Sequence, residues 1–164
     1  MRASLPANEA ARLRALRAEG ILDSPAERSF DDIVKLAQLI CEVPIALVSL
    51  VDDNRQWFKS KVGLPMQETP RDESFCAHAL STRDPLIIHD TRDDPRFVDN
   101  PLVVREPRIR SYAGIPIYVE DGEVAVGTVC VLDRVPRPRR RPVFDLPRSR
   151  PLKHPSGSSD HACP

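Results

Sequence analysis

A sharp change in composition after Asp133 sets the limit on what this chain can fold into. Residues 134–164 carry eight Lys or Arg against two acidic residues and hold seven of the 17 prolines. Residues 1–133 carry 16 basic and 22 acidic residues. Because a charged, proline-rich segment buries too little apolar surface to offset the entropy of ordering it, we expect residues 134–164 to be a disordered tail. The foldable part is then one domain, residues 8–133, behind a flexible N-terminus of residues 1–7.

Two helices are predicted at the start of this domain. Residues 8–19 have helical spacing, and Gly20 ends the segment. A second helix begins at Ser29, a residue type that caps helix N-termini. Its apolar residues recur at helical spacing and are expected to form one buried stripe, which consists of Phe30, Ile33, Val34, Ala37 and Ile40.

The segments that follow indicate one mostly antiparallel sheet. Residues 45–51 are a continuous apolar run, typical of a central strand covered on both faces, and residues 56–62 supply the second arm of a hairpin. A later pair of strands flanks Asp121-Gly122, which suits a tight type I′ turn. The remaining predicted elements are helices at 74–80 and 101–105 and strands at 86–89, 112–119 and 123–132. This order predicts an α+β fold, with a mostly antiparallel sheet of about five to six strands and flanking helices.

Seven short stretches of the domain form a recognisable set. They are residues 44–52, 55–60, 74–80, 85–90, 94–97, 112–117 and 127–133. In this order and spacing they resemble the GAF family of small-molecule sensor domains. The helical lead that ends at residues 21–25 is similar to the entry of GAF domains at the N-terminus of bacterial sensor histidine kinases and diguanylate cyclases. The resemblance therefore implies a role in signal transduction, in a two-component or cyclic di-GMP pathway.

The resemblance also implies a GAF-like (PAS-like) fold with a ligand pocket on one face of the sheet. Residues 74–80 and the loop 90–110 would form the roof, and three strands the floor. The expected ligand is an unknown small-molecule effector, and no cofactor is required. The candidate pocket residues are Trp57, Phe75, Cys76, His78, Asp90, Arg110, Tyr112 and Cys130. We expect no catalytic residues and no metal ligands.

One departure from the family concerns the segment after Leu132-Asp133, where family members continue into a long helix that carries the signal to an output domain. Here the sequence reads Arg134-Val135-Pro136-Arg137-Pro138, and proline in a helix interior costs about 3 kcal/mol. We therefore expect a domain without its C-terminal helix and output module, as a truncated or frame-shifted gene would encode.

The cysteines leave an enzymatic alternative open. Cys41, Cys76, Cys130 and Cys163 form no CxxC pair, which speaks against a zinc knuckle or a thioredoxin-type motif. Cys76 and His78 stand two residues apart on a helix and point about 200° away from each other, so they do not share a ligand or a proton. A related branch of the family reduces free methionine sulfoxide with pocket cysteines. Cys76 and Cys130 could meet in such a pocket, although their neighbours do not resemble that branch's motif.

Cyclic-nucleotide binding, the other task common in the family, needs hydrogen-bond donors for a phosphate. Arg108, Arg110 and Ser111 would be able to supply them, and a solvated loop surface is the competing interpretation. The charges between Asp90 and Arg96 favour a salt-bridged loop.

The remaining expectations concern partners and location. No run of about 18 apolar residues and no secretory signal occur, so we expect a cytoplasmic protein that does not bind a membrane. We expect a non-enzymatic sensor with a small-molecule effector and no nucleic-acid partner, forming a homodimer through its N-terminal helices. The alternatives are a thiol-dependent, methionine sulfoxide reductase-like enzyme and a ligand-free dimerisation module.

Overall fold

The computed structural model describes residues 2–119 and 124–137. The helices are α1 (Glu9–Ala18), α2 (Arg28–Cys41), α3 (Phe75–Ala79) and α4 (Pro101–Val104), with one turn of 3-10 helix at Arg71–Glu73. The strands are β1 (Ile45–Val51), β2 (Arg55–Val62), β3 (Glu68–Pro70), β4 (Leu86–Ile88), β5 (Ser111–Val119) and β6 (Val124–Asp133). None of the helices within these ranges is long and apolar enough to cross a membrane.

The six strands form a single sheet in the order β3-β2-β1-β6-β5-β4. Every neighbouring pair is antiparallel, which confirms the predicted α+β class. Strand β1 lies near the middle and all seven of its residues are buried, as its apolar run, interrupted only by Ser49, predicts. Strand β3 was not predicted, because Glu68-Thr69-Pro70 is too short to show a period.

The helices divide between the two faces of the sheet. On one face, Leu16 of α1 packs with Leu50 and Trp57, and Val34 of α2 packs with Ala46 and Val48. On the other face, α3 and α4 pack over the side chains that point away from α1 and α2, among them Leu47, Phe58, Tyr112, Cys130 and Leu132. Strand β1 therefore lies between two separate layers of side chains.

Helix α2 corrects two predictions. It begins at Arg28 after the N-cap position Glu27, so Ser29 lies inside the helix. Its contact with the sheet is narrower than the predicted stripe, because Val34 is buried but Ile33 and Ile40 are 44% and 66% exposed. Together with Leu36 and Leu39, they form a second apolar stripe that faces away from the sheet.

A buried charge network fixes α1 to the end of the sheet. Arg12 is almost fully buried and donates to the Glu9 carboxylate at 2.8 Å and to the Val51 carbonyl at 2.6 Å. Arg71 donates to the same carboxylate at 2.6 Å and to the Asp52 carbonyl at 3.0 Å. Burial raises the pKa of Glu9, but the hydrogen bonds and charges of the two arginines outweigh it and hold the pKa at about 2.

The ordered domain extends past the predicted boundary at Asp133. The Arg137 guanidinium donates to Asp133 and to the carbonyls of Cys41 and Glu42 at the end of α2. The Arg137 backbone N–H donates to the His89 carbonyl at 2.9 Å. Residues 134–137 therefore belong to the fold and are not part of a disordered tail. The predictions for residues 138–164, for Cys163 and for the Asp121-Gly122 turn lie outside the described residues.

Candidate ligand-binding site

A narrow cavity lies between the sheet and the short helices α3 and α4. Its volume, traced by the centre of a water-sized sphere, is about 20 Å³, which leaves room for one or two water molecules. The side chains that line it are Leu47, Gln56, Phe58, Leu64, Thr69, Phe75, Cys76, Leu102, Pro107, Ile109, Tyr112, Cys130 and Leu132. No Asp, Glu, Lys, Arg or His side chain is among them.

The roof of the cavity is held by a capped helix and by ring stacking. The Ser74 hydroxyl accepts a hydrogen bond from the Ala77 backbone N–H at 3.0 Å and so caps α3. Phe75, the first residue of α3, stacks on Phe97 at 4.4 Å and on Tyr112 at 5.3 Å between ring centroids. These rings join the helix, the loop after β4 and the sheet.

Two polar side chains of neighbouring strands give the cavity its hydrogen-bonding capacity. Gln56 of β2 and Thr69 of β3 are opposite each other in the sheet, and both line the cavity. The Gln56 amide oxygen accepts a hydrogen bond from the Ser74 hydroxyl. The Thr69 hydroxyl is buried and has no hydrogen-bond partner within the part of the chain that is described. An unpaired buried hydroxyl costs about 1–3 kcal/mol, so the fold carries a cost at this position.

Two thiols meet at the cavity wall. The Sγ atoms of Cys76 on α3 and Cys130 on β6 are 3.7 Å apart, and both residues are fully buried. The Tyr112 hydroxyl donates to Cys76 Sγ at 3.5 Å. The buried hydroxyls of Ser49 and Thr128, paired across β1 and β6, lie beside the same sulfur.

These neighbours separate the pKa values of the two thiols. Burial raises the pKa of Cys76, but the Cys130 thiol and the hydroxyls of Ser49, Thr128 and Tyr112 beside its sulfur have the larger, opposite effect and hold the pKa below its ordinary value. The hydrogen bond to Cys76 and burial raise the pKa of Cys130 well above its ordinary value. Burial also raises the pKa of Tyr112, which keeps its hydroxyl protonated as a donor.

The structure brings together four of the eight predicted pocket residues, since Phe75, Cys76, Tyr112 and Cys130 all line the cavity. Trp57 is a correction. It packs on Leu16 of α1, on the opposite face of the sheet, because side chains alternate along β2 and its neighbours Gln56 and Phe58 face the cavity.

The other three predicted residues lie outside the cavity lining. His78 packs edge-on against the Phe97 ring at 4.7 Å. Asp90 pairs with Arg92 at 2.6 Å beside an open surface groove, and this ion pair lowers the pKa of Asp90. A second pair, Asp94 with Arg96, completes the salt-bridged loop that the sequence predicts.

Arg110 is engaged by the protein itself. Its guanidinium donates to the carbonyls of Val103 at 2.9 Å and Ile109 at 3.1 Å. It therefore ties α4 to the start of β5. Arg108 is an exposed loop residue that pairs with Glu106.

Sequence reasoning missed Gln56 and Thr69, the polar pair of the cavity. The only available signal was the predicted strand at 56–62, which gives no indication of the face on which Gln56 lies. No group of three His, Cys, Asp or Glu side chains within residues 2–119 and 124–137 is placed to hold a metal ion.

Comparison with known proteins gives one consistent result. The sequence model of the GAF domain family matches residues 25–148. A cyclic di-GMP phosphodiesterase of Pseudomonas aeruginosa is 42% identical over 132 residues, which cover 80% of this chain and 22% of that protein. The chain thus spans about a fifth of the length of this curated relative.

Solved structures agree at the level of the fold. The GAF domain of an Acinetobacter phosphoenolpyruvate-protein phosphotransferase has a TM-score of 0.58 at 18% identity, covering 82% of this chain and 84% of that one. A Staphylococcus aureus NreA protein mutated in its nitrate-binding site has a TM-score of 0.53 at 13% identity, covering 70% and 87%. At such identities the likeness concerns architecture alone.

Proposed function

Because this chain belongs to the GAF domain family as a regulatory domain, we propose that the cavity under α3 receives the small molecule to which it responds. The observation that carries this proposal is the Thr69 hydroxyl, which is buried at the cavity wall without a partner in the described structure. A ligand that hydrogen-bonds to it would remove the cost of leaving it unpaired. Small-molecule sites commonly combine apolar walls with a few such polar groups.

The lining favours a neutral and mostly apolar ligand. The lining holds no Asp, Glu, Lys, Arg or His side chain that could pair with a charged ligand, and burying a charged group without a partner is strongly unfavourable. This argues against a phosphate-bearing cyclic nucleotide inside the cavity, since Arg110 is bound to carbonyls and Arg108 lies in the exposed loop. Free methionine sulfoxide is a zwitterion, and the cavity lining has no Asp, Glu, Lys, Arg or His side chain to pair with its ammonium and carboxylate groups.

Binding would move the roof, because the cavity has room for only one or two waters. A ligand that fits only an opened roof shifts the equilibrium between closed and open forms by its difference in affinity for them. Strand β1 offers a route to the opposite face, since Leu47 lines the cavity while Ala46 and Val48 pack with Val34 of α2. For this reason we propose that the regulatory output leaves through α2.

The exposed stripe of α2 supports a homodimer as the form in which the domain acts. Ile33, Leu36, Leu39 and Ile40 are all exposed on a helix whose other side is fixed to the sheet. A second copy of the chain, with the same stripe, would cover them in a two-fold symmetric contact.

The cellular role that we propose is cytoplasmic and non-enzymatic, in cyclic di-GMP signalling. Its support is the 42% identity to part of a cyclic di-GMP phosphodiesterase. In this role the domain would control an output activity without performing chemistry itself.

A fragment-binding experiment on the full chain tests the ligand proposal. Neutral fragments of about ten heavy atoms or fewer and cyclic di-GMP are titrated separately while backbone amide NMR signals are recorded. We expect neutral fragments to shift the signals of Phe75, Tyr112 and Leu132. The Thr69→Val substitution should weaken the binding of these fragments. Fragments that bind only at the surface groove beside Asp90, or a response to cyclic di-GMP alone at the cavity, would contradict the proposal. Turnover of methionine sulfoxide with a dithiol reductant would instead favour the enzymatic alternative.

A further inference from the structure

We propose that Cys76 and Cys130 are a peroxide-reactive dithiol that closes a disulfide between the roof and the floor of the cavity. This site is independent of the ligand proposal, because it needs only the two thiols and a small oxidant. It rests on three features of the structure: the distance between the sulfurs, the donors around Cys76, and the cavity that reaches both.

The first feature is the distance. The two Sγ atoms are 3.7 Å apart and would have to approach by about 1.7 Å to reach the length of an S–S bond. Cys76 lies on the five-residue helix α3 and Cys130 on β6, which the sheet holds firmly. The shift required is of the size that a short helix and two side-chain rotations can supply.

The second feature is a set of hydroxyl groups around Cys76. Tyr112 donates to its sulfur at 3.5 Å. The Ser49 and Thr128 hydroxyls lie beside the sulfur, and neither has a hydrogen-bond partner within the described part of the chain. Buried hydroxyls without partners are costly. A thiolate, or the oxygen of a sulfenate formed on it, would accept hydrogen bonds from all three.

The third feature is access. The cavity is lined by both cysteines and is partly open to solvent. Its volume suits a neutral molecule with two oxygen atoms, such as hydrogen peroxide, and its walls offer nothing to a charged oxidant. The remaining described cysteine, Cys41, lies at the end of α2 on the other face of the sheet.

The chemistry balances with a hydroperoxide as the only co-reactant. The Cys76 thiolate attacks one peroxide oxygen, the O–O bond breaks, and the leaving oxygen departs as water or an alcohol after taking a proton. The Cys130 thiol then attacks the Cys76 sulfenic acid, the S–O bond breaks, and a second water leaves. Two thiols lose two electrons, which reduce the peroxide. The lowered pKa of Cys76 and the raised pKa of Cys130 agree with this division of roles.

The experiment treats the full chain with hydrogen peroxide under native conditions, followed by denaturation, alkylation and mass spectrometry. We expect the number of alkylated cysteines to fall from four to two, with a linked pair of peptides that contain Cys76 and Cys130. Dithiothreitol should restore all four. A double variant, Cys41→Ser with Cys163→Ser, is the matched control and should form the same linked pair.

Two further variants separate the roles of the two thiols. Cys130→Ser should let Cys76 proceed to a sulfinic acid, and Cys76→Ser should leave Cys130 unreacted at the same peroxide dose. The peptide map of the unaltered chain decides the matter even where a variant does not fold. Oxidation confined to Cys41 or Cys163, with Cys76 and Cys130 fully alkylated, would overturn the proposal.

Discussion

The hydroxyl of Tyr112 lies over the backbone of Gly114, in the space that a Cβ atom on Gly114 would fill. Both residues belong to β5, and Gly114 pairs with Cys130 on β6. The absent side chain lets the Tyr112 ring lie along the sheet, so that its hydroxyl reaches Cys76. The packing of Tyr112 in the cavity wall therefore requires glycine at position 114.

Gly114→Ala should therefore destabilise the protein by about 1–3 kcal/mol, because the added methyl group forces Tyr112 out of position. Urea unfolding followed by circular dichroism measures this. In a Tyr112→Ala background the same substitution should cost much less, since the obstacle is gone. Equal costs in the two backgrounds would show that the ring and the glycine are not coupled.

A second prediction concerns acid stability. The folded pKa of Glu9, about 2, lies below its ordinary value of 4.5, so its stabilisation is fully present above pH 4.5 and is lost as the pH falls toward 2. Glu9→Gln should be less stable than the unaltered protein at pH 7, and the difference should shrink across that window. Urea midpoints at pH 7, 4 and 3 test this. A difference that stays constant with pH would assign it to packing alone.

A third prediction follows from Arg137, which joins Asp133 to the carbonyls at the end of α2. Arg137→Ala should lower the free energy of unfolding by roughly 2 kcal/mol, because it leaves the largely buried Asp133 carboxylate without its cation and removes a positive charge from a helix C-terminus. Arg134→Ala, at an exposed position, is the control and should have little effect. An unfolding free energy that Arg137→Ala leaves as unchanged as Arg134→Ala does would mean that the contacts of Arg137 do not stabilise the fold.

A fourth prediction concerns the exposed stripe of α2. Leu36→Glu combined with Ile40→Glu should convert a dimer into a monomer in analytical ultracentrifugation while the circular dichroism spectrum stays unchanged, because both side chains are more than half exposed. Val98→Glu, at an exposed apolar position in the loop after β4, is the control and should leave the dimer intact. A dimer that survives both stripe substitutions would place the interface elsewhere.

The sequence predicts an element of the fold correctly where its apolar pattern fits only one arrangement. The run at 45–51 has one interpretation as a strand, because its residues are apolar on both faces. The sequence of α2 allows two interpretations of its buried face, because the stripe through Val34 and the stripe through Leu36 are both apolar. Only the packed structure decides which of them faces the sheet.

The sequence also does not predict which side chains of β2 face the cavity. Residues 56–60 are all buried, including the charged Lys59, so alternation does not separate the two faces. Lys59 is tolerated because it donates to Ser24 and to the Pro25 carbonyl, which are distant in the chain. A register shift between Val48 and Ser49 further obscures the pairing of β1 with β2. Trp57 was placed on the wrong face for these reasons.

The fifth prediction compares two buried threonines that differ in one hydrogen bond. Thr69 lines the cavity and its hydroxyl has no partner in the described structure, whereas the Thr91 hydroxyl donates to the Ile109 carbonyl at 2.8 Å. Thr69→Val keeps the side-chain shape and removes the unpaired group, so it should stabilise the free protein by about 1 kcal/mol. Thr91→Val removes a satisfied donor and should destabilise it by a similar amount.

Opposite signs in urea unfolding would identify the Thr69 hydroxyl as a group kept at the expense of stability, which is expected of a residue that serves a ligand. The same Thr69→Val protein should bind the neutral fragments more weakly than the unaltered chain, while Thr91→Val should change their affinity little. If Thr69→Val instead lowers stability, its hydroxyl has a partner in the free protein, such as an ordered water. The cavity would then offer a ligand no unpaired group to satisfy.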